Sequence, residues 1–286
     1  MLSRILFFLM KHILVPIDFS ENSLNALAYA KELFKNTTSS FYILHVGNLN
    51  QSGIVSNSLL SFGTNKELML KEKFKSNFLK IKESNSNRKH HFWAIQEYGN
   101  LIDKIRETVQ SKKIDLIVMG TKGASGIKEK IIGSNTGDVI TKVPVNLLVV
   151  PENATYTELK NISFPTDYNI FYSYSILNTI TELLHMNEGF LHIINSSTKK
   201  KINVVQQKNK AYLQDYLEEV FENYHCFHRT GNMKVKNAIE DFTTTGKTDM
   251  ILMAAKNINF IQQILFDNHI QKLSFQTKIP LFVVHE

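Results

Sequence analysis

The chain carries the same order of landmarks twice, and this repetition constrains its fold more than any other feature. His12–Ser20 reads HILVPIDFS and Asn161–Asn169 reads NISFPTDYN, so Pro16 and Asp18 recur 149 residues later as Pro165 and Asp167. FYILHV at 41–46 is echoed by FLHI at 190–193, which aligns His45 with His192. DLIVM at 115–119 returns as DMILM at 249–253, and LLVV at 147–150 as LFVV at 281–284, both 134 residues on. A length of 286 residues suits two such units, and the join falls near Pro151–Lys160, giving expected domains of 1–152 and 153–286.

Within each unit short β-branched runs alternate with helical patterns. In the first, strands are expected at His12–Ile17, Phe41–Val46, His91–Gln96, Leu116–Met119 and Asn146–Val150. Most are continuous apolar runs of the kind buried on both faces of a sheet. Between them Ile102, Ile105 and Val109 form one stripe of a helix, as do Ile176, Ile180, Leu183 and Leu184, and then Val235, Ala238, Ile239 and Phe242, in the second unit. The patterns Lys66–Glu83 and Val205–Glu222 carry Leu, Phe and Tyr at the spacing of a face packed on the sheet. Alternation of strand and helix implies right-handed crossovers, hence an α/β fold of two tandem, doubly wound parallel sheets with helices on both faces.

Hydrophobic residues make up 43% of the chain and charged residues 21%, with 12 Gly and 5 Pro, which excludes disordered and collagen-like classes. A single cysteine, Cys226, cannot close an internal disulfide and suits a reducing cytosol. MLSRILFFLM at 1–10 holds an apolar run of six residues, short of a signal peptide's core, and reads as a leader or as translation begun upstream of Met10. No stretch reaches the ~18 apolar residues of a membrane span, so a soluble, cytoplasmic protein with no membrane partner is expected. Residues 1–152 carry 20 Lys+Arg against 13 Asp+Glu, and residues 153–286 carry 13 against 13, so the whole excess of +7 lies in the first unit. Those charges are interspersed with acids, as in KELMLKEKFK at 66–75, which suits a solvated helix face better than a nucleic-acid partner.

Five of the twelve glycines lie between residues 120 and 137, in GTKGASGIKEKIIGSNTG directly after the strand Leu116–Met119. In an open parallel sheet ligands bind beyond the carboxyl ends of the strands, and glycine there lets backbone amides approach a ligand closely. Gly133 and Ser134 open the helical pattern Thr136–Thr141, whose first N–H groups favour an anion, with the hydroxyls of Ser134 and Thr136 as further donors. Lys122, Lys128 and Lys130 are the nearest supporting cations.

The spacing Gly120-x2-Gly123-x9-Gly133-Ser134 resembles the nucleotide-binding signature of the universal stress protein family. VPIDFS at 15–20, LHV at 44–46 and DLIVMG at 115–120 resemble that family's first, second and fourth strands. The likeness covers the chain from Met10 onward as two copies. It implies a five-stranded sheet ordered 3-2-1-4-5 in each copy, and fifth strands, Asn146–Val150 and Leu281–Val284, that pair with each other. It further implies ATP, with magnesium, bound across the first and fourth strands. Pro16, Asp18, Val46, Met119 and Gly120 would then meet the adenine and ribose end, and Gly123, Gly133, Ser134, Asn135 and Thr136 the phosphates. The function so implied is a nucleotide-regulated binding protein of the stress response, capable at most of slow hydrolysis and able to form a homo-oligomer. No residue is assigned a catalytic or metal-binding role.

In the second copy the decisive positions change: Gly120 becomes Ala254, Gly123 becomes Asn257, Gly133 becomes Asp267 and Ser134 becomes Asn268. An aspartate at a phosphate site repels what the first copy attracts, so one competent and one degenerate site are expected. Several plainer readings stand beside this one. Asp18 also suits a helix start, and Asp167 is kept in the copy without the glycines. His45 and His192 sit in apolar runs and read as hydrogen-bonded core residues. His90 and His91 would point to opposite faces of a strand and so share no metal. TTGKTD at 243–248 fails as a phosphate loop, because Asp241 stands where the first glycine is needed. The alternative function is an interaction scaffold using the tandem surfaces without nucleotide. A nucleotide α-hydrolase is disfavoured, since VPIDFS lacks the Ser-Gly-Gly turn of that chemistry.

Overall fold

The computed structural model describes residues 10–47, 62–121, 133–195, 202–231, 235–245, 248–257 and 278–286. Strand and helix alternate through them: β1 (Lys11–Pro16), α1 (Glu21–Leu33), β2 (Ser39–Gly47), α2 (Phe62–Glu83), β3 (His90–Tyr98), α3 (Leu101–Lys112), β4 (Leu116–Gly120), α4 (Ser134–Lys142) and β5 (Asn146–Val150). The second set is β6 (Asn161–Pro165), α5 (Tyr174–Asn187), β7 (Phe190–Asn195), α6 (Val204–Phe221), β8 (His225–Arg229), α7 (Val235–Thr244), β9 (Met250–Ala254) and β10 (Leu281–Val284).

All ten strands join one sheet, ordered β3-β2-β1-β4-β5-β10-β9-β6-β7-β8. The order 3-2-1-4-5 therefore occurs twice, read outward to inward and then inward to outward. The two fives are not separate sheets. They meet at β5 and β10, the one antiparallel pair among the described strands, with Leu281 opposite Val149, Phe282 opposite Leu148 and Val283 opposite Leu147. Every one of those residues is buried, so the seam is core rather than surface.

Strict alternation along each strand divides the core between two faces. Ile13, Val15, Ile17, Phe41 and Ile43 point to the side covered by α1 and α2, continuous with the side covered by α5 and α6. Leu14, Leu44, Ile117, Met119, Leu147 and Val149 point to the side that α3 and α4 cover with Ile102, Ile105, Val139 and Ile140. Local chemistry sets the helix starts. Ser20 caps α1 by accepting from Ser23 N, and Asn100 caps α3 by accepting from Ile102 N at 2.9 Å. Asp115 ties β4 to β1 by accepting His12 N–H at 2.7 Å, and Asp249 ties β9 to β6 by accepting Asn161 N–H at 2.8 Å.

Strand register corrects one expected correspondence. β1 sets Pro16 against Leu44, whereas β6 sets Pro165 against Ile194, so His45 corresponds to Asn195 and not to His192. The contacts agree: His45 Nδ1 bonds to Ile17 O at 2.8 Å, and Asn195 Nδ2 to Thr166 O at 2.8 Å. Two Leu-His pairs look alike in sequence, but the backbone ladder, not residue identity, fixes which positions are equivalent. His192 instead lies mid-strand, bonded to Asn161 Oδ1 at 3.2 Å and His228 Nε2 at 3.1 Å. His90 is buried and His91 exposed, as their adjacency on a strand requires.

Candidate functional site

The carboxyl ends of β1, β2 and β4 lie side by side, which brings Pro16, Val46 and Met119 together. Met119 and Val46 both pack on the α3–α4 side of the sheet, and Pro16 shares that side because it alternates with Val15 and Ile17. The three make an apolar wall at one sheet edge. Asp18 follows on the exposed turn after β1, where its Oδ1 accepts Ser20 N–H at 3.0 Å and Ser20 Oγ–H at 2.6 Å. Asp18 thus orients the serine that caps α1, while Ser20 itself occupies the cap.

Gly120 ends β4, and its lack of a side chain has a steric consequence. A Cβ there would lie 2.7 Å from Asn22 Oδ1, so with any other residue the Asn22 side chain would have to move. Asn22 was not singled out in the sequence, and no spacing rule could have marked it, since its neighbour is nearly a hundred residues away.

Thr121 N–H donates to Val150 O at 3.1 Å, and Gly133 N–H donates to Thr121 O at 2.5 Å, so Thr121 and Gly133 meet at one point of the sheet's edge. Gly123, Lys122, Lys128 and Lys130 fall in the segment 122–132, outside the described residues. Gly133 is the N-cap of α4 with φ −61° and ψ 155°, and no side chain caps the helix. Ser134 and Asn135 are exposed on the first turn. The expected role of the Thr136 hydroxyl is corrected here. Thr136 is 3% exposed and its Oγ1 donates to Gly120 O at 2.9 Å, so the hydroxyl fastens α4 to the end of β4. Only its main-chain N–H remains to face a ligand at the helix N-terminus.

The second set of elements keeps the scaffold and fills the space. Ala255 N–H donates to Val284 O at 2.8 Å, matching Thr121 and Val150. At the position of Gly123, Asn257 reaches across the strand ends and donates through Nδ2 to Asp167 Oδ1 at 2.7 Å, while Asn169 Nδ2 donates to Asp167 Oδ2 at 2.7 Å. Both oxygens of the carboxylate equivalent to Asp18 are thereby engaged. Asp267 and Asn268 lie outside the described residues.

Among the described residues no three His, Cys, Asp or Glu side chains cluster as a metal site, and no helix is long and apolar enough to cross a membrane. The edge of β1, β2 and β4 therefore offers main-chain donors, an apolar wall and a capless helix start, which is the chemistry of anion binding by backbone.

Comparison with known proteins gives a consistent answer. The profile of the universal stress protein family matches residues 10–151. The universal stress protein YxiE of Bacillus subtilis is 32% identical over 128 residues, which is 42% of this chain and 85% of that protein. The universal stress protein MJ0577 of Methanocaldococcus jannaschii is 29% identical over 152 residues, covering 49% of this chain and 94% of that one. Over nearly the whole length the fold is similar to the crystal structure of a universal stress protein from Archaeoglobus fulgidus, with TM-score 0.69, 19% identity, and coverage of 96% of this chain and 98% of that chain.

Proposed function

Because this chain belongs to the universal stress protein family, we propose that its first domain, residues 1–152, binds ATP at the edge of β1, β2 and β4 as a ligand that regulates its contacts. The observation that carries this reading is the anchoring of Gly133 N–H on Thr121 O, which brings the uncapped start of α4 to the end of β4. Amides of Ser134, Asn135 and Thr136, with the Ser134 hydroxyl and Gly123, would hold phosphate oxygens, favoured by the positive end of the helix. Pro16, Val46 and Met119 would cover the adenine, with Asp18 and Gly120 near the ribose. Magnesium would travel on the phosphates, its usual mode in nucleotide sites.

The second domain, residues 153–286, would hold no nucleotide, since Asn257 spans the corresponding space and its amide is bonded to Asp167. We read the protein as a cytoplasmic, non-catalytic nucleotide sensor of the stress response, with hydrolysis at most slow. The fifth strands already pair inside one chain, so a homo-oligomer would form through other surfaces.

Calorimetric titration with magnesium and ATP is the test. About one saturable site per chain is expected, and its absence removes the reading. Gly133→Asp copies the second domain. Gly133 is in ordinary extended backbone that aspartate adopts readily, and aspartate is a good N-cap, so the variant should fold and lose the nucleotide. Undiminished ATP binding by that variant would mean the site is elsewhere.

A further inference from the structure

On the opposite face of the same sheet edge, the first domain holds a cavity of about 580 Å³ between α1, α2 and the turn after β1. That volume is within the usual range for small-molecule pockets. The apolar part of its wall is Phe19 from the turn, Leu24 from α1, and Phe74 and Ile81 from α2, with Asn77 and Ser84 beside them. Phe19 has φ 61°, a left-handed conformation uncommon for a bulky residue, and in it the ring lies against His45 at 5.4 Å and edge-on to Phe74 at 5.9 Å. His45 stacks on Phe74 at 5.8 Å. Because a carbonyl only accepts, the bond to Ile17 O puts the proton on Nδ1 and makes Nε2 the acceptor atom of the neutral ring. Lys73 and Lys80 stand two helical turns apart on α2, both exposed, at the cavity's rim. Asp18 is the single acidic residue among those lining it.

In the second domain the equivalent junction is narrower, a cavity of about 250 Å³ lined by Tyr168, Asn195 and Lys210 among others. There α6 is fastened directly to the equivalent turn, with Gln206 Nε2 donating to Asp167 O at 2.7 Å and Asn209 Nδ2 to Tyr168 O at 2.9 Å. Tyr172 is fully buried beside it and bonded to Thr166 Oγ1 at 2.6 Å. The corresponding junction of the first domain, between the Asp18–Phe19 turn and α2, is the wider of the two.

We propose that this cavity binds a small amphipathic anion: an aliphatic or aromatic body with one carboxylate or sulfonate. The body would lie among Phe19, Leu24, Phe74 and Ile81, where burial of apolar surface drives binding, and the acid would sit at Lys73 and Lys80. The site lies on the other face of the sheet from the proposed nucleotide site. His45, Phe19 and Phe74 occupy the α1–α2 side of the sheet, whereas Val46 and Met119 occupy the other, and the two sites share only the turn carrying Asp18.

Fluorescence titration of the full chain with 8-anilinonaphthalene-1-sulfonate, followed by displacement with decanoate, tests the proposal. One saturable site displaced by decanoate is expected. The double variant Lys73→Glu with Lys80→Glu changes only exposed residues and should weaken both probes by about tenfold. Asn77→Trp, within the cavity wall, should abolish binding and leave ATP titration unchanged. Probe binding undiminished in either variant overturns the proposal. So does loss of ATP binding together with the probe in Asn77→Trp, because the cavity would then be an arm of the nucleotide site. Failure of ATP binding alone, with decanoate still displacing the dye from the parent chain, would strike the nucleotide reading and leave this one standing.

Discussion

Gly120 and Asn22 show how one side chain decides a neighbour's identity. The Asn22 amide is buried on the first turn of α1 and occupies the volume that a methyl group on Gly120 would need. In the second domain β9 ends in Ala254, so a side chain is accommodated at the same strand position. Beside Asn22, Gly120→Ala should destabilise the protein by about 1–3 kcal/mol through overpacking, read as a lowered urea midpoint. A midpoint equal to the parent's would mean that Asn22 swings aside at no cost. The glycine run was legible in the sequence. What could not be read there is that Gly120 also answers a packing demand from α1, since the two residues are far apart in the chain and meet only in the fold.

At the scale of elements, helix starts are built in different ways. α4 starts at Gly133 with no side-chain hydrogen bond to cap it. α6 starts with a capping box: Asn203 Oδ1 accepts Gln206 N–H at 2.9 Å, and Gln206 Oε1 accepts Asn203 N–H at 2.9 Å. Gln206 also holds the turn at Asp167, so it serves two structures at once. Asn203→Ala should cost about 1 kcal/mol for the lost cap. Gln206→Ala should cost more, by roughly the ~1 kcal/mol of one further hydrogen bond, in parallel urea denaturation. Equal losses would show that the clamp on the turn contributes nothing to stability. Most elements were marked by apolar periodicity, but β8 was not. Its sequence HCFHR is half polar because it is an edge strand with one neighbour, β7, and its outer side needs no apolar cover.

For the molecule as a whole, pH sensitivity follows from where its histidines sit. Burial holds His90, His185 and His285 below the ordinary imidazole range of about 6.5. His90 shows the cause: Nε2 is bonded to Phe34 O at 3.0 Å, Nδ1 has no hydrogen-bond partner among the described residues, and the ring meets Phe41 edge-on at 5.0 Å. As pH falls below about 6.5 the unfolded chain takes up protons that the folded chain refuses, so stability is full above that value and declines beneath it. The urea midpoint should drop between about pH 7 and pH 5, and His90→Gln should flatten the drop. An unchanged slope in that variant would remove His90 from the account. Because β5 and β10 bury Leu148 and Phe282 against each other's strands, such losses at one end are expected to reach both domains through a continuous core.

The sequence by itself determined that the chain is an α/β protein, that its landmarks occur twice, and that only one copy carries a glycine loop after its fourth strand. Periodicity and local backbone freedom are written in consecutive residues, so they can be read without coordinates. Tertiary structure alone decided the register in which β5 meets β10, that His45 answers to Asn195, that Thr136 fastens β4 to α4, and that the cavity beneath α2 is wider than the one beneath α6. Each of these depends on register or on contacts between residues distant in the chain, and such contacts are fixed by the packing of whole faces against one another.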